Sequence, residues 1–219
     1  LSVTYKACTV RVNITVRPDE ATRMSTICQS GDWDYLLNDN GAYITGYNGS
    51  DTDISVNEID SNSIYAVTSK VFKDSNIVSF SSETVSLIYP QAFENCKSLL
   101  KCNTPNAISI GSNAFRGDES LRAIQFSDTL ESLDSGAFES TAITELTIPK
   151  GISAVPERLC NNCQSLERVT LLGEVETVGD MAFNSCLNLK VFNGAGKIKN
   201  VCDFAFSENG LMRLDVIPQ

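Results

Sequence analysis

The chain has 219 residues, a formal net charge of −10, eight cysteines and no histidine. The acidity argues against nucleic acid and against docking on anionic membranes, since both demand a basic face. The missing histidine removes the commonest general base and transition-metal ligand, so histidine triads are excluded and a zinc site would need cysteines alone.

From the N-terminus, CTVRVNITVRP alternates Val10, Val12, Ile14 and Val16 against Thr9, Arg11, Asn13 and Thr15. That period of two predicts a half-buried strand. Residues 1–32 are too few to fold alone. Next, Asn40-Gly41 separates DYLLN from AYITGY. Asn-Gly is the strongest short hairpin signal, because a type I′ turn needs positive φ twice in succession. The hairpin expected within residues 33–60 would cap the following units and shield their first strand edge. GSDTD, from Gly49 to Asp53, lacks the alternating acids and closing Glu of a calcium loop and reads as a solvated turn. No apolar run approaches the roughly 18 residues of a membrane helix.

From residue 61 to 219 the chain repeats. Phe72, Phe93, Phe115, Phe138, Cys160, Phe183 and Phe206 recur at intervals of 21, 22, 23, 22, 23 and 23 residues. Each unit runs Leu-x-x-Ile-x-Ile, then a segment with apolar residues three apart, then Ala-Phe-x-x-Cys. About seven units are expected, the last incomplete. A unit this short buries its apolar residues only by stacking on its neighbours, which predicts a solenoid of parallel strands. Ile124 and Phe126 alternate with Ala123 and Gln125 as a strand, and the Ala-Phe-x-x-Cys spacing predicts a short helical turn opposite it. Where other units have Ala-Phe, one has Leu159-Cys160, a swap that roughly conserves volume. The repeated Cys96, Cys163 and Cys186 are expected inside as compact apolar groups. Cys160-x-x-Cys163 is read as two core positions, not a redox or zinc half-site.

AFENCKSL (92–99), AFNSCLNL (182–189), LCNNCQSL (159–166) and ITELTIPKGISAVPERL (143–159) together resemble the BspA-like leucine-rich repeat family. YLLNDNGAYITGYNGSDTDISV (35–56) resembles the lead-in that often precedes such repeats. The resemblance implies an α/β leucine-rich-repeat solenoid in a secreted or cell-surface protein. It implies adhesion to a host or matrix protein or glycan, with no catalysis and no cofactor. A spacer that merely projects another domain is the alternative. More weakly, residues 1–32 resemble the last strand of an immunoglobulin-like module, and an extra strand of the cap is the other reading. Cys8 and Cys28, outside the repeats, are the candidate disulfide.

The outward strand residues form the candidate binding face: Lys101, Asn103, Gln125, Glu145, Thr147, Arg168, Thr170, Asn193, Arg213 and Asp215. The row is polar and mixed in charge. Arg168 and Arg213 are its only residues of a kind enriched at interface hot spots. No pair of fixed acids across a cleft supports hydrolysis, and no metal ligand set is recognisable.

Overall fold

A computed structural model describes residues 26–194 and 198–211. The strand expected at residues 9–17, and Cys8, Arg213 and Asp215, lie outside these. An antiparallel meander comes first: β1 (Thr26–Ser30), β2 (Trp33–Asn38) and β3 (Gly41–Tyr47). After it come β4 (Asp53–Ser55), β5 (Glu58–Ile59) and β6 (Asn62–Val67). Short strands then alternate between two sides of a solenoid. They are β7 (Ser79–Ser81), β8 (Leu87–Ile88), β9 (Lys101–Thr104), β10 (Ser109–Ile110), β11 (Ala123–Phe126) and β12 (Ser132–Leu133). The series continues with β13 (Glu145–Ile148), β14 (Ala154–Val155), β15 (Arg168–Leu171), β16 (Thr177–Val178), β17 (Val191–Asn193) and β18 (Asn200–Val201).

The meander buries Cys28, Tyr35 and Ile44 in one register line. Its hairpin forms, but one residue earlier than Asn40-Gly41. Asp39 and Asn40 make the turn, and neither has positive φ. Asn38 Oδ1 instead accepts the Asn40 backbone N–H at 2.8 Å. The positive φ, 132°, falls on Gly41, where a side chain would collide with the Ser63 carbonyl of the neighbouring strand β6. A two-residue turn with both φ positive does occur, at Asp60-Ser61 between β5 and β6. Asp60 accepts from Ser30 Oγ at 2.7 Å and Tyr35 Oη at 2.8 Å, tying the meander to the first coil.

Seven coils follow, each a strand on either side and a turn, the first of the two strands being the longer in every coil but the first, with turns centred on Phe72, Phe93, Phe115, Phe138, Cys160, Phe183 and Phe206. On the long-strand side β4, β7, β9 and β11 pair in parallel, as do β13, β15 and β17. On the short-strand side β6, β8, β10 and β12 form one ladder and β14, β16 and β18 another. The anchor rings stack between these sides. Phe72, Phe93, Phe115 and Phe138 follow one another at 5.2, 5.1 and 5.8 Å, with interplanar angles of 11°, 5° and 23°. Trp33 and Tyr47 extend the column past Phe72. Each such pair contributes about 0.5–1.5 kcal/mol beyond the area it buries. At the swapped unit Leu159 and Cys160 are both fully buried, and stacking resumes between Phe183 and Phe206 at 5.5 Å.

The third side departs from expectation. Among the described residues there is no helix, and the Ala-Phe-x-x-Cys segments are chains of tight turns. In the coil of Phe93 the amides of Ala92, Glu94 and Cys96 bond back to Tyr89, Gln91 and Phe93. The alternate amides of Gln91, Phe93 and Asn95 instead reach the next coil, at Ser112, Ala114 and Arg116, over 3.0, 2.8 and 2.8 Å. A helix would turn every amide inward along its own axis, and such coils could not be stapled together. The alternation requires left-handed residues two before and two after each anchor. They are Lys70/Asp74, Gln91/Asn95, Asn113/Gly117, Gly136/Ser140, Arg158/Asn162, Met181/Ser185 and Phe204/Glu208. Asn, Asp and Gly, which tolerate that conformation best, hold six of these fourteen positions.

Candidate interaction face

Strand register places the outward residues in two columns. Asp53, Ser79, Lys101 and Ala123 are neighbours in one, and Ser55, Ser81 and Asn103 in the other, with the Gln125 backbone paired beside Asn103. Past β11 the columns continue as Glu145, Arg168 and Val191, and as Thr147, Thr170 and Asn193. The face expected from the alternation is therefore assembled, apart from Arg213 and Asp215. Lys101, Glu145, Thr147, Arg168 and Asn193 are exposed, while Asn103 and Thr170 are half-buried. Arg168 Nε lies 3.6 Å from Glu145 Oε1 across the strands. An exposed pair of this kind is worth at most about 1 kcal/mol. Beneath the face Ile54, Phe80 and Cys102 are buried, as are Leu146, Val169 and Ile148.

The face is interrupted once. Between β11 and β13, and between β12 and β14, no strand pairing forms. The cause lies in two prolines of the coil that begins with β13. At the next junction Leu172 donates its amide to Ile148 at 2.9 Å, and the equivalent residue here is Pro149. On the short-strand side Tyr89, Gly111, Asp134, Gly179 and Cys202 donate to the preceding coil at 2.8 to 3.0 Å, and the equivalent residue is Pro156. Proline has no N–H to give. Pro105 fills the same slot as Pro149 and is tolerated where β9 pairs with β7, so one proline alone does not open a junction. Ile143 follows its anchor by five residues, where Leu99, Leu121, Leu166 and Leu189 follow theirs by six, but Ile77 also follows Phe72 by five and its strand β7 is paired on both sides, so the shorter turn by itself does not open a junction. Only the turn side stays closed, through Gly136, Phe138 and Ser140 bonding to Glu157, Leu159 and Asn161 at 2.9 to 3.0 Å. The seam opens a cleft of about 200 Å³ lined by Ile124, Phe126, Leu146, Pro149, Asp128, Glu145 and Thr147.

The repeated cysteines do more than fill space. Each is buried and donates its thiol to the anchor carbonyl of the preceding coil: Cys96 to Phe72 and Cys163 to Phe138 at 2.9 Å, Cys186 to Cys160 at 3.0 Å. Those carbonyls receive no amide from a neighbouring coil, so the slot wants a small donor. Thr141 and Asn209, in the same slot, donate instead to the anchor carbonyl of their own coil, Thr141 to Phe138 at 2.9 Å and Asn209 to Phe206. Asp118 is the misfit. It is fully buried, accepts the Cys96 amide at 2.7 Å on Oδ1, and leaves Oδ2 without a partner. Burial pushes its carboxyl up to about 9, with nearby Glu94 adding to the rise. Burial likewise raises the thiols of Cys96, Cys102, Cys160 and Cys186, which makes them inert. Cys28 is buried and disulfide-bonded. Among the described residues no group of three or more potential ligands is placed to hold a metal.

A second cleft, about 180 Å³, lies between Trp33, Tyr47, Asp32, Asp51 and Asp53 at the start of the ladder. It contains the GSDTD turn, where the Asp51 amide donates to Tyr47 Oη at 3.2 Å. Asp53 is held there by Ser79 Oγ at 2.6 Å. Sequence reading missed both clefts. The seam had a visible signal in Pro149 and Pro156, whose meaning emerges only once the register of each coil is known.

A leucine-rich cell surface protein of Faecalibacterium prausnitzii has the same fold, with 25% identity and a TM-score of 0.68 over 85% of this chain. The chain spans 55% of that protein's length. The T. pallidum leucine-rich repeat protein is 24% identical with a TM-score of 0.73, covering 78% of this chain and 83% of its own. A leucine-rich repeat protein from Bacteroides ovatus is 20% identical with a TM-score of 0.66, over 84% of this chain and 57% of that one. No curated protein matches the chain significantly in sequence. Among the described residues no helix is long and apolar enough to cross a membrane. The family model described as BspA type leucine rich repeat region matches in six copies over residues 48–116 and 86–212. The chain belongs to the BspA-type leucine-rich repeat family.

Proposed function

We propose that this chain is a secreted or cell-surface module that binds a host or matrix protein or glycan through its long-strand face. Repeat scaffolds of this family are generally non-catalytic binding surfaces, and one structural relative is described as a cell surface protein. The observation that carries the reading is the pair of outward columns, in register from Asp53 to Ala123 and from Glu145 to Val191, on a backbone fixed by a stacked core. Preordered side chains lose little entropy on binding, so modest polar contacts suffice. Lys101 and Arg168 are its exposed cations among the described residues.

The test is a screen of matrix proteins and glycans against the whole chain, then against the chain carrying Lys101→Glu and Arg168→Glu. Saturable binding that falls at least tenfold in the variant, with an unchanged melting temperature, supports the reading. A chain that captures nothing in the screen is a spacer, and the proposal fails.

A further inference from the structure

The seam between β11 and β13 differs from every other junction between described coils in being short of hydrogen-bond donors. Pro149 and Pro156 withhold the two amides that would cross to the preceding coil. The facing edges of β11 and β13 are both unpaired. The inward side chains there are also incompletely covered. Ile124 and Phe126 are half-buried, whereas Phe80, Cys102, Thr104 and Val169 in the same slots are at most 1% exposed; Phe192, at the far end of the described ladder, is half-buried too. Two exposed carboxylates, Asp128 and Glu145, border the opening.

We propose that the seam takes up an extended segment of a partner protein in which an apolar residue is flanked by lysine or arginine. The proposal deepens the reading of the long-strand face as the interaction surface and rests on it. Each property of the seam selects one property of the occupant. A strand brings backbone N–H groups to an edge that lacks them, which is how sheet edges recruit peptides. A cleft of about 200 Å³ has room for an apolar side chain of that strand against Phe126 and Leu146. Asp128 and Glu145, on a chain of net charge −10, favour a cation at either flank and accelerate its approach. An acidic strand would meet like charge and is excluded.

The probe is the synthetic pentapeptide Lys-Val-Thr-Val-Lys, blocked at both ends, with Glu-Val-Thr-Val-Glu as control, titrated into the whole chain. The expected result is saturable binding of the basic peptide alone, with slowed amide exchange confined to residues 123–126 and 145–148. Asp128→Lys with Glu145→Lys, both at exposed positions, should weaken the basic peptide at least tenfold without moving the melting temperature. Pro149→Leu with Pro156→Gly, the residues of the next coil, should close the seam and also abolish uptake, although no charge changes. No binding of the basic peptide overturns the proposal. So does binding that survives either double variant, protection elsewhere, or concentration-dependent pairing of the chain with itself through the seam. Lys101→Glu alone, away from the Glu145–Arg168 pair, should leave peptide uptake in place. Loss of partner capture in the chain carrying both Lys101→Glu and Arg168→Glu, with no peptide uptake in the parent chain, would sink the seam and spare the face.

Discussion

The junction on either side of β13 is built from the same repeat, yet one is open and the other closed. Toward β15 the strands pair along four residues, Leu172 bonds to Ile148, Gly179 bonds to Val155, and the turns are stapled. Toward β11 the turn staples remain and both strand ladders are missing. Apolar stacking continues across both, since Leu159 and Cys160 are as buried as Phe138 and Phe183. The difference shows that the core and the turns hold coils together, while the strand ladders decide whether a junction is sealed. Two prolines in one coil, one on each strand side, unseal it without unstacking it.

Four changes test that division. Phe115→Ala removes a ring stacked on both sides at closed junctions. It should cost about 3–5 kcal/mol in chemical denaturation, more than any change to a ladder. Asp118→Cys restores the thiol of this slot in the coil of Phe115. Below about pH 4 the native carboxyl is neutral in folded and unfolded chains alike. As pH rises toward 9 only the folded chain keeps its proton, so its stability falls across that window and levels off above it. The variant should therefore be more stable by up to about 4 kcal/mol at pH 7, with no gain near pH 3, read from denaturant midpoints at a series of pH values. Pro149→Leu with Pro156→Gly should give amide protection to residues 123–126 and 145–148. It should change stability by less than about 1 kcal/mol, because the regained bonds are offset by a more flexible unfolded chain. Smallest of all, Arg168→Glu breaks the exposed pair across the closed junction and should shift stability by under about 1 kcal/mol, less still in molar salt.

Much of this architecture was legible because stacking imposes a period. The anchors at 21- to 23-residue intervals located the aromatic column, and period-two alternation placed Lys101, Glu145 and Arg168 outward. The turns were not legible as turns, since residues three apart suit a helical turn and a run of β-turns equally. What separates the two is the direction of Gln91, Phe93 and Asn95 amides, a property of the stacked neighbour. The hairpin was found but misplaced by one residue, because Asn38 captured the turn with its own side chain. Asp118 could be read as a missing cysteine, but not as a buried acid, because burial depends on the coils above and below. Of the face, the columns were foreseen and their interruption was not.

The staples on the turn side all run one way. Each coil hands its amides forward, from Gln91, Phe93 and Asn95 to the coil after, and offers its carbonyls backward, a pattern repeated through Met181, Phe183 and Ser185. The turn side of the stack is thus chemically polar, with a donor end and an acceptor end, like a row of identical plugs and sockets, while the short-strand amides run the opposite way. Two such stacks can be joined top to tail, but tops cannot be joined to tops. Any grafting or lengthening of this scaffold must respect that arrow, whatever the outer residues are asked to recognise.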